Sequence, residues 1–228
     1  SHPLVLKTFV TSDLQTKIWQ NYHVTIKEIL TGFKWMGKFM ADLEAQKIPF
    51  TYLFGNEESY GYLPHHFSRD KDGVSAALLM MECALDLKMQ NQTLDEKLDE
   101  IYEKYGYFAE EQLNFYFKGL DGNLFIEKIM NHLRTLSRSW REYTINKKED
   151  YLLSKIQPHI PPNNVLCFEL ASGEKFFARP SGTEPKIKFY LHHYNGNKNL
   201  DEQKKESKEK LARLRQSINQ EIEELKNE

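Results

Sequence analysis

The sequence predicts two mixed units in series: a parallel α/β unit, then an α+β unit. Three patterns carry that expectation. Apolar β-branched runs alternate with amphipathic helical stretches over the first ninety residues, as in a parallel sheet with helical crossovers. A capped helix and a long strand follow, and then closely spaced strands joined by turn residues. The chain closes on a charged helix with a single apolar stripe.

Each element has its own signal. "LVLKTFV" (4–10) is a short apolar strand, and "SDLQTKIWQNY" places Ser12 and Gln15 at the spacing of a capping box. "VTIKEIL" (24–30) predicts a second strand, and the helix after it sets Phe33, Met36, Met40 and Leu43 on one face. "FTYLFG" (50–55) predicts a third strand that ends in a polar loop, "GNEESYGYL". "KDGVSAALLMMECALDLKM" (71–89) predicts a helix with a stripe of Val74, Ala77, Leu78, Met81 and Leu85. A domain boundary is expected at 91/92, giving units 1–91 and 92–228. Thr93 and Glu96 form a second capping box, ahead of an expected buried stripe of Leu94, Leu98, Ile101 and Tyr105. A strand over 107–117 and a helix over 121–136 come next, and the "PHIPPNN" stretch (158–164) is a stiff connector. "VLCFELASGEKFFARP" predicts a hairpin and "KIKFYLHHY" a further strand. Leu211, Leu214, Ile218, Ile222 and Leu225 form the stripe of the closing helix, whose Lys- and Glu-rich remainder is a solvated face.

The chain has 228 residues, 40% hydrophobic and 28% charged, which suits one or two domains with a real core. A formal net charge of -2 provides no global basic field for nucleic acid, so an anion has to be caught locally. Cys83 and Cys167 are isolated and lack metal-type spacing, which fits a cytoplasmic protein better than a secreted scaffold. No apolar run reaches the roughly 18 residues of a membrane span, and no signal peptide is legible. The opening "SHP" reads as a cloning remnant or an excision point.

Two stretches carry chemistry. In "ARPSGTEPKIKFY" (178–190), Arg179 offers a bidentate guanidinium, Ser181 and Thr183 offer hydroxyls, and Gly182 lets backbone N–H groups come close. Pro180 and Pro185 restrict the loop and lower the entropy cost of ordering it. An ordinary turn uses many of the same residues, so the stretch alone leaves turn and phosphate cradle both open. In "GNEESYGYLPHHFSRDKDG", Glu57, Glu58 and Ser59 are the groups that read sugar hydroxyls. Arg69 and Lys71 add positive charge just ahead of a helix N-terminus. Paired glutamates are also ordinary in a solvated loop. His65 and His66 are adjacent without further partners and carry no metal assignment.

Taken together, "FGNEESYGYL", "KDGVSAALLMMECA" and "ARPSGTEPKIKFY", in that order, resemble the α-D-phosphohexomutase superfamily of phosphoglucomutases and phosphomannomutases. "VTSDLQTKIWQNY" and "LTGFKWMG" resemble its third domain, so the likeness covers most of the chain. It implies a four-domain enzyme of which these residues are the carboxyl-terminal part, with a partial three-layer α/β third domain. The implied fourth domain is a TATA-binding-protein-like mixed sheet with helices. By the same resemblance Glu57 and Ser59 contact sugar hydroxyls and Lys71 lines the cleft. Arg179, Ser181, Gly182 and Thr183 match the phosphate-binding loop position by position.

The departures matter equally. The family's T-x-S-H-N-P phosphoserine loop and its Asp-Gly-Asp-x-Asp-Arg loop, which holds Mg²⁺, are absent from the 228 residues. The first strand and helix of the third domain are also unmatched. The resemblance therefore implies no catalytic residue and no metal ligand in this chain, which is expected to be inactive alone. It implies Mg²⁺ and a hexose 1,6-bisphosphate intermediate for the full-length enzyme, with the remaining domains and the phosphosugar as partners. Phosphopentomutase, sugar-bisphosphate synthase and a non-catalytic phosphosugar-binding module stay open as alternatives.

Overall fold

The computed structural model describes residues 2–153, 159–196 and 199–228. Ser1 of the opening tripeptide and Pro158 of the expected connector lie outside the described residues. The chain divides into two compact units, residues 1–106 and 107–228.

The first unit is built on a four-stranded sheet of order β2-β1-β3-β4. Its elements are β1 (His2–Thr8), α1 (Leu14–Asn21), β2 (Thr25–Ile29), α2 (Phe33–Ala45), β3 (Phe50–Glu57), β4 (Gly61–Leu63), α3 (Gly73–Met89) and α4 (Leu94–Tyr105). β1 pairs in parallel with both β2 and β3, and β4 turns back antiparallel on β3. As the central parallel strand, β1 is buried from Leu4 through Thr8 on both faces. Leu4 and Leu6 meet Phe33, Met36 and Met40 of α2 in one apolar cluster, as the periodicity of α2 predicts.

Lys7 points to the opposite face and has no exposed surface. Its ammonium lies 2.9 Å from the carbonyl of Thr11, 2.9 Å from Asp13 Oδ1 and 3.0 Å from Glu28 Oε1. Three N–H groups thus meet three acceptors, which is the condition for keeping a buried charge. Asp13 caps α1 in position, though its side chain bonds no helix N–H. The Ser12–Gln15 capping box does not form: Ser12 Oγ accepts from the N–H of Leu14 instead.

The second capping box does form, with Thr93 and Glu96 exchanging reciprocal bonds at the start of α4. α4 packs within the first unit against α1 and α3, one helix beyond the expected boundary at 91/92. The apolar stripes of α3 and α4 are a correction to the sequence reading. Leu87 alone is buried on α3, whereas Val74, Leu78, Met81 and Leu85 are 83%, 55%, 62% and 59% exposed. Leu94 and Leu98 of α4 are exposed as well. Periodicity reports that a face is apolar; burial needs a layer to cover it.

The second unit has one six-stranded sheet, order β5-β10-β9-β8-β7-β6. It comprises β5 (Tyr107–Tyr116), α5 (Gly119–Thr135), β6 (Ser139–Trp140), β7 (Tyr143–Asp150), β8 (Leu166–Leu170), β9 (Glu174–Pro180), β10 (Lys186–Asn195) and α6 (Leu200–Asn227). The family likeness implied a mixed sheet; the described pairings are antiparallel throughout, with short turns joining β8 to β9 and β9 to β10. β6 and β7 carry no element in the sequence reading: β6 is only two residues long, and the register of β7 against β8 shifts between Ile145 and Lys147. Ile187, Phe189 and Leu191 share a core with Ile129 of α5 and with Leu211, Leu214, Ile218, Ile222 and Leu225 of α6. The closing stripe is buried at every position that the sequence marks.

β10 is tied to α6 by a polar contact inside this layer. His193 Nδ1 lies 2.8 Å from Ser207 Oγ, and both residues are buried. His193 sits opposite Glu174 on β9. Burial holds its imidazole below the ordinary value, and the Lys210 charge adds to that, while Glu174 and Glu206 oppose it. Cys83 is exposed and Cys167 buried, both as free thiols. Among the described residues no helix is long and apolar enough to cross a membrane.

Two outcomes follow from this packing. Leu85→Gln on exposed α3 shifts the unfolding free energy by no more than about 0.5 kcal/mol, whereas Ile129→Ala in the second core costs about 2–5 kcal/mol. Urea titration of both variants measures the contrast. Because the folded state disfavours protonated His193, its contribution to stability is complete above the unfolded value of 6.5 and is lost as pH falls below it. Thermal melts from about pH 7.5 to 5 show that loss, and His193→Gln flattens it.

Candidate functional site

In the first unit the polar loop is a tight hairpin. β3 continues two residues past the predicted strand end, so that Gly55, Asn56 and Glu57 pair with Leu63, Tyr62 and Gly61 of β4. Only Glu58, Ser59 and Tyr60 remain as the turn, and Tyr60 takes a left-handed φ of 60° with its ring exposed. The hairpin lies at the carboxyl ends of the parallel strands, where open α/β sheets bind ligands. Glu57 is buried, and its Oε1 is 3.8 Å from the exposed ammonium of Lys71. A Cβ at Gly61 would stand 2.4 Å from the Phe33 ring and 2.7 Å from Glu57 Oε1, so glycine alone leaves the carboxylate its place. Ser59 is exposed at the tip. The structure therefore brings Glu57 and Lys71 together, with Ser59 beside them in the chain.

The remaining charges of this stretch are occupied. Arg69 forms an ion pair with Glu44 of α2. The N-terminus of α3 is filled by Asp72, whose carboxylate accepts from the N–H groups of Val74 and Ser75 and from the Ser75 hydroxyl. Those bonds, with Ser75 first, hold the Asp72 carboxyl below its usual range. The chain thus supplies its own carboxylate at this helix start. His65 stacks on Phe67 at 5.2 Å. Among the described residues no group of three His, Cys, Asp or Glu side chains could hold a metal ion.

In the second unit Arg179, Ser181, Gly182 and Thr183 sit together where β9 turns into β10. The turn is closed by Ser181 N–H donating to the carbonyl of Lys186 at 2.7 Å and Lys186 N–H to that of Glu184 at 2.7 Å. Thr183 N–H reaches Ser181 Oγ at 3.4 Å. Arg179 Nη1 donates to the Tyr190 hydroxyl at 3.3 Å. A Cβ at Gly182 would meet nothing within 4 Å, so no neighbour in the chain requires glycine there. What the missing side chain leaves is open backbone for an outside group.

Register adds groups that sequence reasoning missed. Lys188 is the cross-strand partner of Arg179, which places two cations side by side on one face. Lys186 binds Glu184 at 2.7 Å, a pair that raises the Lys186 ammonium and lowers the Glu184 carboxyl through their hydrogen bond. Around the turn three cationic side chains thus face one carboxylate. The signal was present in the alternation of "KIKFY", but only the strand pairing says which lysine meets Arg179.

The first unit thus carries an acidic hairpin at the end of its parallel strands, and the second a cationic hairpin on an antiparallel sheet. Residues 1–105 match the family described as phosphoglucomutase/phosphomannomutase, alpha/beta/alpha domain III. The phosphoglucomutase of Staphylococcus aureus (strain MSSA476) is 34% identical over 201 residues, covering 83% of this chain and 36% of the relative. That of Staphylococcus haemolyticus (strain JCSC1435) is 33% identical over 204 residues, covering 84% and 36%. Both alignments run well past the first unit. Among solved structures, the open form of the Paramecium phosphoprotein pp63/parafusin, a phosphoglucomutase, has a TM-score of 0.65 at 20% identity, covering 97% of this chain and 37% of that one. A putative phosphomannomutase from Thermus thermophilus has a TM-score of 0.52 at 17% identity, covering 93% and 37%. The chain belongs to the phosphoglucomutase/phosphomannomutase superfamily. It spans 36% of the length of the curated relatives it matches.

The crowding at Gly61 predicts that Gly61→Ala displaces both Phe33 and Glu57. Overpacking of this kind costs about 1–3 kcal/mol, read by urea unfolding. Loss of the slow-exchanging amides of β4 is the accompanying sign.

Proposed function

We propose that this chain is the substrate-binding part of a phosphohexomutase that interconverts hexose 1-phosphate and hexose 6-phosphate. The observation that carries the reading is the β9–β10 turn, where Arg179 stands beside Lys188 and the Ser181 and Thr183 hydroxyls adjoin open backbone at Gly182. That donor set suits a phosphate monoester: a guanidinium fork, a second cation, hydroxyls and approachable N–H groups. We assign the second unit as the family's fourth domain and this turn as its phosphate-binding loop. Glu57 and Ser59 read sugar hydroxyls, and Lys71, held 3.8 Å from Glu57, offers a cation next to them.

The chemistry of this chain is positioning. In the proposed reaction a phosphoserine hands its phosphate to the sugar monophosphate, the bisphosphate turns over, and the serine takes the other phosphate back. Neither the phosphoserine motif nor the Asp-Gly-Asp motif occurs in these residues. What these residues do is hold the non-reacting phosphate and the hydroxyls common to both orientations, which lowers the entropic part of the barrier. The partners are then the phosphosugar and the domains that carry the serine and the metal. Free Cys83 and Cys167 support a cytoplasmic setting.

Titration of the chain with glucose 1-phosphate, mannose 1-phosphate and ribose 1-phosphate by calorimetry tests the reading and ranks the sugars. Arg179→Ala removes charge-assisted bonds and weakens phosphate binding by about 10- to 100-fold. The fold stays intact by circular dichroism, and affinity falls with added salt. Unchanged affinity in that variant refutes the assignment. The chain alone gives no mutase turnover.

A further inference from the structure

Of the two adjacent glutamates in the first hairpin, Glu57 is buried against Gly61, and Glu58 turns towards β1. Thr8 Oγ1 donates to Glu58 Oε2 at 3.0 Å. Thr8 has no exposed surface, and its oxygen also lies 2.7 Å from Thr11 Oγ1. A hydroxyl has one proton, and Thr8 commits its own to the carboxylate, so Thr11 donates to Thr8. The Thr11 backbone is fixed in turn, because its carbonyl takes one of the three N–H groups of buried Lys7. The other two hold Asp13 at the start of α1 and Glu28 at the end of β2. One continuous polar run therefore joins the carboxyl ends of β1 and β2 to the tip of the β3–β4 hairpin.

We propose that Glu58 is the anchor of this hairpin, a positioning residue and not a sugar-reading one, held by the hydroxyl relay Thr11–Thr8–Glu58. The inference rests on the proposed function for the roles of Glu57 and Ser59, the residues on either side of the anchor. The turn needs an anchor for a physical reason. Tyr60 holds a left-handed backbone at φ 60° that a bulky side chain adopts only when its surroundings impose it. β4 is only three residues long, so ladder bonds alone give the tip little support. Charge-assisted bonds from a buried donor are the stronger kind, and a donor on the central strand is the most rigid base available. With Glu58 fixed, the backbone of Glu57 and Ser59 is fixed within one residue on each side.

The test uses the full 228-residue chain and two readouts. Thr8→Val keeps the shape and removes the donor, Thr8→Ser restores it, and Glu58→Ala removes the acceptor at the turn without touching the interior. In the ligand-free chain, amide exchange at Gly61 and Tyr62 rises about tenfold in Thr8→Val and Glu58→Ala, and returns to the parent rate in Thr8→Ser. Exchange in α2 does not move. Affinity for glucose 1-phosphate falls about tenfold in Thr8→Val, while affinity for inorganic phosphate, taken by the β9–β10 turn, is unchanged. Parent-like exchange in both Thr8→Val and Glu58→Ala overturns the anchor. Faster exchange with parent-like glucose 1-phosphate affinity overturns its positioning role. If the unsubstituted chain binds no glucose 1-phosphate, the functional reading fails, and the exchange data still decide the anchor.

Discussion

The ammonium of Lys7 is the contact on which the first unit turns. A buried charge is tolerable only when each of its N–H groups has an acceptor, and here the acceptors come from three different segments. The chain must therefore bring the end of β2, the start of α1 and the loop after β1 to one point. That convergence fixes the carboxyl edge of the parallel sheet, the edge from which the Glu57 hairpin rises. Because β1, β2 and β3 run parallel, their carboxyl ends lie on this one edge.

The second unit meets the same demand differently. Its antiparallel sheet carries an apolar face under α5 and α6, and the opposite parity of β9 and β10 carries Arg179, Lys188 and Tyr190. One strand pair thus serves as core and as cationic edge at once, since side chains alternate with a period of two. A register slip of a single residue would bury the cations and expose Ile187 and Phe189, so the core enforces the site. The His193–Ser207 contact under α6 helps to hold that register from inside.

α3 shows where pattern and burial part. Its apolar residues recur as a core helix requires, yet Val74, Met81 and Leu85 stand in solvent. Its N-terminus is closed by Asp72, so the local sequence that makes the helix is complete even though its face is uncovered. Helix formation is a local property here, and burial is a property of the layer that would lie against it.

The sequence by itself determined the order and type of nearly every element, the stripes of α2 and α6, and the Thr93–Glu96 cap, because these depend on spacing along the chain. It also marked both chemistry-bearing stretches and the superfamily, since short motifs carry those. Tertiary structure alone decided which of the marked groups are available. It paired Arg69 with Glu44, filled the α3 N-terminus with Asp72, set Lys188 beside Arg179 and turned Glu58 down onto Thr8. It also added β6, too short for a period, and β7, whose register against β8 shifts at Ile145. Lys7 is the clearest case: in the sequence it is one lysine in an apolar strand, and only the meeting of three distant segments makes it a buried anchor. Partners far apart in the chain leave no periodic trace, so which charge neutralises which is settled only when the chain has folded.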